Sequence, residues 1–199
     1  MADNVAVTEG SGKTIASQDI GGFQFQQVIA GNITRVSDSF TRVSDTNIYA
    51  VGDHIASTVT AGSVTAANSS FVLASAIRDA SLGGYIDQIV LMSDDVDTTA
   101  SDFRVHFFDI DPYTVAPTSG DNAAISLDTT IADNYLGYID VSTNLTLFES
   151  ETVGVGIPPL PIPIKAASGT TIWGVMEARN IYTPASAEVF TLYAQITQG

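Results

Sequence analysis

Short runs of alternating apolar and polar residues recur along the chain from about residue 48, and clusters of Gly, Asp, Asn, Ser and Pro separate them. Successive side chains of a strand point to opposite faces, so a period of two predicts a strand with one buried face. The clearest run ends the series, because Phe190, Leu192, Ala194 and Ile196 fall on one face. The predicted strands are 48–51, 55–59, 71–78, 84–92, 103–110, 134–141, 152–157, 160–165, 171–178 and 188–196.

The same pattern predicts the class of fold. No window of a dozen residues has an apolar stripe at the spacing of an α-helix, so long helices are not expected. Residues 84–92 are apolar on both faces towards their end, which is typical of a central strand covered on both sides. About eight to ten strands with turn-rich connections predict an all-β protein, an antiparallel β-sandwich of jelly-roll-like form.

The segment from Ile157 to Ile164 contains four prolines. Proline has no backbone N–H, so a strand here must lie at a sheet edge or follow a polyproline II path. Leu160, Ile162 and Ile164 alternate with other residues and could be buried on one side. We expect this segment to protect a sheet edge.

Residues 1–46 differ from the rest of the chain. They are rich in Gly, Ser, Thr and Asp, and they contain one aromatic run in which Phe23 and Phe25 alternate with glutamines. We interpret them as an extended N-terminal arm with one strand, followed by a sandwich domain at residues 47–199. An arm that cannot bury its own apolar face is expected to stay unpaired until a neighbouring subunit accepts it.

The composition excludes several classes of function. The 199 residues include 7 Lys and Arg against 22 Asp and Glu, which gives a formal charge of −15. Such a chain repels phosphate backbones and anionic membranes, so neither nucleic acid nor a membrane is an expected partner. Without cysteine there is no disulfide, thiolate zinc site or cysteine nucleophile. The sequence predicts no secretory signal, and no apolar run reaches the roughly 20 residues that span a bilayer.

Few residues suit catalysis or metal binding. His54 and His106 are the only histidines, and we interpret them as a loop or strand-start residue and a half-buried strand residue, respectively. The acidic clusters at 94–97 and 109–111 lack the spacing of a calcium loop and are typical of turns, although a structural Ca²⁺ between subunits stays open. No nucleophile elbow is present. We therefore expect no enzymatic activity, no catalytic residue, no cofactor and no resident metal.

The aromatic residues offer an alternative function. Tyrosines and a tryptophan could stack on sugars, although such residues more often serve as core or interface anchors. This alternative is a host-recognition or carbohydrate-binding module of a tail or head fibre. It predicts an exposed platform in a loop cluster, built from Tyr113, Tyr135 and Tyr182, with Tyr138 and Trp173 as further candidates.

Several short blocks of sequence resemble known proteins. Residues 15–28, with Gly21-Gly22 before an aromatic and glutamine-rich strand, resemble a segment near the start of many tailed-bacteriophage virion proteins. Ser17-Gln18 stands where an extra acidic residue is usual. Blocks in the body resemble phage head-associated structural proteins, and they are 49–56, 76–78 with 83–86, 107–109 with Pro112, and 121–124.

This resemblance implies a capsid decoration, or cement, protein. Such a protein is a β-sandwich on the outside of a capsid, commonly a homotrimer, which binds the major capsid protein and staples neighbouring subunits. The chain would be made in the host cytoplasm and located on the virion exterior, and the family has no catalytic residues to transfer. From the arm itself we expect Phe23, Phe25, Val28 and Ile29 to contact the capsid or a neighbouring subunit.

Overall fold

The computed structural model describes residues 17–20, 23–26, 32–78, 83–95, 101–114, 117–143, 145–148, 151–165 and 169–198. Helical structure within these ranges is limited to a one-turn helix, α1 (Ala66–Ser69), and 3₁₀ turns at Ala61–Ser63 and Thr129–Asn134. None of the helices so described is long and apolar enough to cross a membrane. The strands are β1 (Ser17–Ile20), β2 (Phe23–Gln26), β3 (Asn32–Thr41), β4 (His54–Ile55), β5 (Phe71–Leu73), β6 (Gly84–Ser93), β7 (Ser101–Phe108), β8 (Tyr135–Thr143), β9 (Leu145–Phe148), β10 (Glu151–Gly156), β11 (Ile162–Ile164), β12 (Ile172–Ala178) and β13 (Val189–Gln198).

Strands β3 to β13 form two antiparallel sheets. The first sheet has the order β3-β13-β6-β10-β9, and β11 also pairs with β6. The second has the order β4-β12-β7-β8, and β5 also pairs with β12. Because no parallel pair occurs among the described strands, the two sheets need no helical crossovers.

The strand pairs are nested along the chain. Strand β3 pairs with β13, β4 and β5 pair with β12, β6 pairs with β10, and β7 pairs with β8. A hairpin of this kind, rolled so that successive pairs alternate between two sheets, is the jelly roll. The predicted fold class, an antiparallel β-sandwich of jelly-roll form, is therefore confirmed.

The hydrophobic core fills the space between the sheets. Alternate residues of each strand turn inward, and the four phenylalanines Phe71, Phe103, Phe107 and Phe190 are fully buried there. A second, smaller cluster covers the outer side of the second sheet around Val175 of β12. Because β12 is covered on both sides, its inward and outward residues are both largely buried.

A largely buried polar cluster lies just after β3, in which the Arg42 and Asp121 side chains are fully buried. The Arg42 guanidinium donates to the carboxylates of Asp45 and Asp121, at 2.6 and 3.4 Å, and its Nε donates to the Tyr49 hydroxyl at 2.9 Å. Tyr49 in turn donates to Asp121 at 2.5 Å, and Nη1 of Arg42 donates to the backbone carbonyl of Ala185 at 3.0 Å. The cluster thus ties residues 42–49 to two distant stretches of chain, at Asp121 and at Ala185.

A second buried carboxylate, Glu188, lies just before β13. The hydroxyl groups of Ser93 and Tyr182 both donate to it. Burial raises the pKa of Glu188 to about 7, because the charged form loses water that two hydroxyl donors do not fully replace.

Two glycines let the two sheets close along one side. A Cβ added to Gly154 of β10 would lie 2.4 Å from the backbone oxygen of Ser142, and one added to Gly156 would lie 2.8 Å from that of Asp140. Both oxygens belong to β8, so β10 crosses β8 at a distance that only glycine permits.

The proline segment lies at a sheet edge, as predicted. Strand β11 pairs with the first residues of β6, and Pro163 stands opposite Tyr85. Ile162 and Ile164 are buried against the core, which confirms the interpretation for these two residues. Leu160 is instead exposed, because it precedes the strand in the connection from β10.

The boundary between arm and sandwich differs from the prediction. Strand β3 was assigned to the arm at 1–46, but all ten of its residues pair with β13, and the chain divides after residue 30. Its inward positions, Thr34, Val36, Asp38 and Phe40, are only half apolar, which hides the alternation. Asp38 accepts a hydrogen bond from the backbone N–H of Val72 at 2.6 Å. Residues 32–41 therefore do not wait for a neighbouring subunit.

The first unit contains two strands where one was predicted. Strands β1 and β2 pair with each other, with Ile20 opposite Phe23 and Gln18 opposite Phe25. Val28 and Ile29 lie outside the described residues. The expected contact of Phe23, Phe25, Val28 and Ile29 with the capsid or a neighbouring subunit stays a prediction.

Candidate functional site

The outer face of β7 and β8 carries a row of alternating charges. Directly paired residues share a face, and here Arg104 of β7 stands opposite Asp140 of β8 and Glu177 of β12. The next row places His106 opposite Tyr138. We call this surface the β7–β8 face.

Arg104 is the centre of the first row. Its Nε and Nη2 donate to the two carboxylate oxygens of Asp140, at 2.7 and 2.9 Å, in a bidentate pair. These hydrogen bonds lower the pKa of Asp140. The guanidinium also lies 3.7 Å from the centre of the Tyr138 ring, within the range of a cation–π contact.

His106 links the charges to the aromatic residues. Its Nε2 is 2.7 Å from Oε2 of Glu177, and its Nδ1 is 3.1 Å from the Tyr135 hydroxyl. Burial lowers the pKa of His106 and outweighs the opposing effect of Glu177. Glu177 also accepts a hydrogen bond from Arg179 at 2.9 Å, so its two oxygens hold the Arg179 guanidinium and the His106 ring in place.

A β-bulge brings two tyrosines to this face. The register of β7 and β8 shifts between Phe107 and Phe108, and Gly137 has φ of +137°, a conformation that glycine adopts readily. The extra residue, Leu136, turns towards the core. Tyr135 and Tyr138 are 41% and 47% exposed, and both therefore lie on the outer face of the sheet, next to the His106 ring.

The predicted loop platform of Tyr113, Tyr135 and Tyr182 is not present. Tyr113 is buried in the second cluster, where its hydroxyl is 2.8 Å from Nε2 of His54. Tyr182 is buried in the main core, where it stacks on Tyr49. Of the three, only Tyr135 is exposed, and its exposed neighbour is Tyr138. The aromatic surface is therefore on a sheet face and not in a loop cluster.

An open groove of about 530 Å³ runs beside the charged row. It lies where the edge of the second sheet meets β10, and its polar lining includes Asp102, Asp140, Ser142 and Arg179. The Ser142 hydroxyl donates to Asp102. The groove thus offers carboxylates, a hydroxyl group and a guanidinium to a polar ligand.

Exposed apolar residues border the other side of the groove. Val155 and Ile157 line it, and Leu160 follows in the connection at residues 157–161, which we call the proline loop. Ile157 and Leu160 are 70% and 79% exposed. Aromatic residues, arginine and exposed aliphatic residues therefore occur together at one edge of the sandwich, a composition typical of protein interfaces.

The remaining sequence candidates have structural roles. Strand β4 begins at His54, and His106 is half-buried in β7, as predicted. Asp111 accepts the backbone N–H of Tyr113 at 2.8 Å, which confirms that the acidic cluster at 109–111 leads into a turn that begins at Asp111. No group of three or more His, Asp or Glu side chains suited to a metal ion occurs among the residues that the structure describes.

Sequence reasoning did not find the β7–β8 face. Arg104, Asp140 and Glu177 lie on three different strands, and only strand register brings them together. Charged and aromatic residues at the outward positions of predicted strands could have indicated this face. The sequence does not reveal which strands pair, so these residues could not be placed together.

Comparisons with known proteins add little. No family model and no curated protein matches the sequence. Among solved structures, the chain is similar to one described as Sacbrood virus of honeybee, with 13% sequence identity over 91% of this chain and 73% of that chain. The TM-score of this match is 0.28, which is too low for an argument about fold or function to rest on it.

Proposed function

We propose that this chain is a structural protein of a tailed-phage virion that decorates the outside of the capsid and stabilises it by binding the major capsid protein. The sequence blocks that resemble phage head-associated proteins support the virion role. The observation that carries the proposal is the concentration of exposed tyrosine, arginine and aliphatic side chains at one edge of a sandwich. Such an edge is suited to binding another protein.

The interior of the sandwich supports a role that depends on the surface. Phenylalanine, isoleucine and leucine side chains fill the space between the sheets. Some jelly-roll proteins hold a ligand between their sheets, but here that space is occupied by the protein's own core. Binding is therefore expected on the outer faces and edges.

Mass action explains how such a protein would stabilise a shell. A copy that binds only the assembled shell lowers the free energy of that state, and many weak contacts add up across a lattice. A homotrimer would increase the effect by making each attachment multivalent. The formal charge of −15 does not oppose this role, because packaged DNA lies on the inner side of the shell.

Co-sedimentation tests the proposal directly. Purified chain is mixed with heads of the phage that encodes it. One set of heads still has the other virion proteins attached, and a second set has been stripped of them. Saturable binding at a fixed number of copies per head, together with a higher temperature of head disruption, is expected. Absence of binding to any assembled head would reject the proposal.

The arm is tested by deleting residues 1–30. If a neighbouring subunit accepts the arm, the shortened chain should bind heads more weakly while its sandwich stays folded. Deletion of residues 1–46 is unsuitable, because it removes β3 and Arg42 from the sandwich. Circular dichroism and thermal unfolding check the fold of the shortened chain, and unchanged head binding would show that the arm is dispensable.

The polar groove favours a second candidate, a carbohydrate-binding module for host recognition. Carboxylates, a hydroxyl group and a guanidinium line the groove, and the exposed Tyr138 ring lies beside it on the same strand. Hydroxyl-rich ligands bind to such polar groups, and sugar rings stack on tyrosine. A glycan array separates the candidates, since binding that is lost in Tyr138→Ala would support the module and an array without hits would reject it.

A further inference from the structure

The proline loop exposes two large apolar side chains that do not contribute to the core. It connects β10 to β11, both of which are anchored on β6. The buried residues on either side of the loop, Gly156 and Ile162, fix its position, yet Ile157 and Leu160 point into solvent and are 70% and 79% exposed. A single exposed apolar side chain is ordinary, but here Val155 and Ile157 line one groove and Leu160 follows three residues later, so exposed apolar residues are grouped, which is typical of an interaction site.

The loop is ordered before any partner binds. Proline fixes its own φ and restricts the residue before it to extended or polyproline II conformations. Pro158, Pro159 and Pro161 restrict Ile157 and Leu160 in this way, and no described peptide bond is cis. The side chains of Ile157 and Leu160 are therefore held out at little further cost in conformational entropy.

The same prolines decide how a partner can bind. Pro158, Pro159 and Pro161 have no backbone N–H, so the loop cannot add a strand to a partner's sheet. It can offer apolar side chains and carbonyl acceptors. Aromatic-lined grooves recognise proline-rich segments in this way, with tryptophan or tyrosine rings that pack on the prolines and donate to their carbonyls.

Charge also narrows the choice of partner. No ionisable residue occurs between Thr152 and Ile164, although 22 acidic residues are present in the chain. A second copy of this acidic chain would bring further negative charge to the contact. A neutral, aromatic-lined groove matches the uncharged loop better, because interface cores are depleted of charge.

We infer that the proline loop is the docking element of this protein and inserts Ile157 and Leu160 into a neutral, aromatic-lined groove on the capsid protein. This inference rests on the proposed function, since it names the contact by which the chain would bind the shell. The polar groove that Ile157 shares with Asp102, Asp140, Ser142 and Arg179 lies beside the loop and would form the rim of the contact.

Head binding by surface variants tests the inference. The double variant Ile157→Ser, Leu160→Ser is compared with Ile48→Ser, which makes the same change at a residue that is 60% exposed next to Tyr49. Loss of two buried aliphatic anchors is expected to raise the Kd for heads by a factor of about ten or more. Ile48→Ser is expected to bind like the original chain. All three positions are exposed, so thermal unfolding should change little.

A second variant tests the preordering of the loop. Pro159→Ala with Pro161→Ala keeps Ile157 and Leu160 but frees the backbone between them. A rise in Kd of about two- to fivefold is expected from the entropy lost on binding. Equal binding by this variant would show that the prolines only protect the sheet edge.

A photoreactive phenylalanine analogue at position 160 identifies the occupant. Crosslinks to a capsid-protein peptide that contains tryptophan, tyrosine or phenylalanine support the inference. Crosslinks to a second copy of this chain, or unchanged head binding by the double serine variant, overturn it while leaving the proposed function intact. If the original chain does not bind heads at all, the proposed function fails and the inference fails with it.

Discussion

Two clusters in this molecule contain the same residue types and differ in their surroundings. In each, an arginine binds aspartate and lies over a tyrosine ring: Arg42 with Asp45, Asp121 and Tyr49, and Arg104 with Asp140 and Tyr138. In the first, the Arg42 and Asp121 side chains are fully buried, whereas the second is partly open to solvent, with about half of the Asp140 side chain exposed. The comparison shows that the same chemistry occurs in two settings, one buried inside the fold and one open to solvent.

The electrostatics of the two clusters differ accordingly. Burial raises the pKa of Asp121 in spite of Arg42, because the buried charge has lost its water. The hydrogen bonds from Arg104 lower the pKa of Asp140, since that carboxylate keeps much of its hydration. When one residue of a buried arginine–aspartate pair is removed, the other is left as an uncompensated charge. When one residue of an exposed pair is removed, water takes its place.

The largest expected effect is that of Arg42→Met. The substitution leaves Asp45 and Asp121 without their cation and is expected to lower the free energy of unfolding by about 3–5 kcal/mol. Urea unfolding followed by tryptophan fluorescence measures the change. Arg42→Lys keeps the charge but loses the forked hydrogen bonds, so its free energy of unfolding should lie between those of the original chain and Arg42→Met. A loss below about 1 kcal/mol would show that the buried cluster does not hold the fold.

Gly154→Ala tests how firmly β8, which carries the exposed cluster, is fixed against β10. The added Cβ would lie 2.4 Å from the Ser142 oxygen, so the sheets must separate, at a cost of about 1–3 kcal/mol. Gly62→Ala is the matched control, because nothing lies within 4 Å of its Cβ. Equal urea midpoints for the two variants would contradict the close approach of β10 and β8.

The pH dependence of stability tests the buried carboxylate Glu188. Its pKa in the folded protein is about 7, above its ordinary value of 4.5, so the folded state binds more protons between these pH values. The stability from this group is present below about pH 4.5 and is lost as the pH rises towards 7. As the pH rises from about 4.5 to 7, the free energy of unfolding of the original chain should fall by about 1–3 kcal/mol relative to that of Glu188→Gln.

Urea unfolding of both proteins at pH 5, 6, 7 and 8 gives the two profiles. Other buried groups such as Asp121 are common to both proteins, so the difference between the curves isolates Glu188. Parallel curves would mean that Glu188 has the same affinity for protons in the folded and unfolded chains.

The smallest expected effect is that of Arg104→Met, the same substitution as in the buried cluster. The pair is partly exposed, so a loss of at most about 1 kcal/mol is expected. The pKa of Asp140 should rise towards its ordinary value, which a carbon-detected NMR titration of its carboxyl group can follow. A loss as large as that of Arg42→Met would remove the distinction between the two clusters.

The alternation of residues predicted most of the fold. Strands β6, β7, β8, β10, β12 and β13 lie close to their predicted positions, because each has a clear apolar face. Strand β3 was missed as part of the sandwich, since polar residues occupy half of its inward positions. The predicted run at 71–78 shortens to three residues because the chain turns at Ala74 and Ser75.

The site was much less predictable than the fold. Tyr113 and Tyr182 have the same local signature as Tyr135, and only tertiary packing buries the first two. The exposure of Tyr135 depends on a bulge at Gly137, which a lone glycine in a strand suggests but does not establish. Contacts between distant strands require the register, and alternation alone does not specify which strands pair.

The nested pairing of strands has a consequence for biosynthesis. Strand β3 is made before the other strands of the two sheets, but its partner β13, at residues 189–198, is made after them. Until then the inner side of β3 and the edge of β6 are uncovered, so the first sheet is completed only after β13 has been made. A nascent chain of this topology is expected to depend on chaperones until β13 has emerged, and a stalled chain lacking β13 should aggregate.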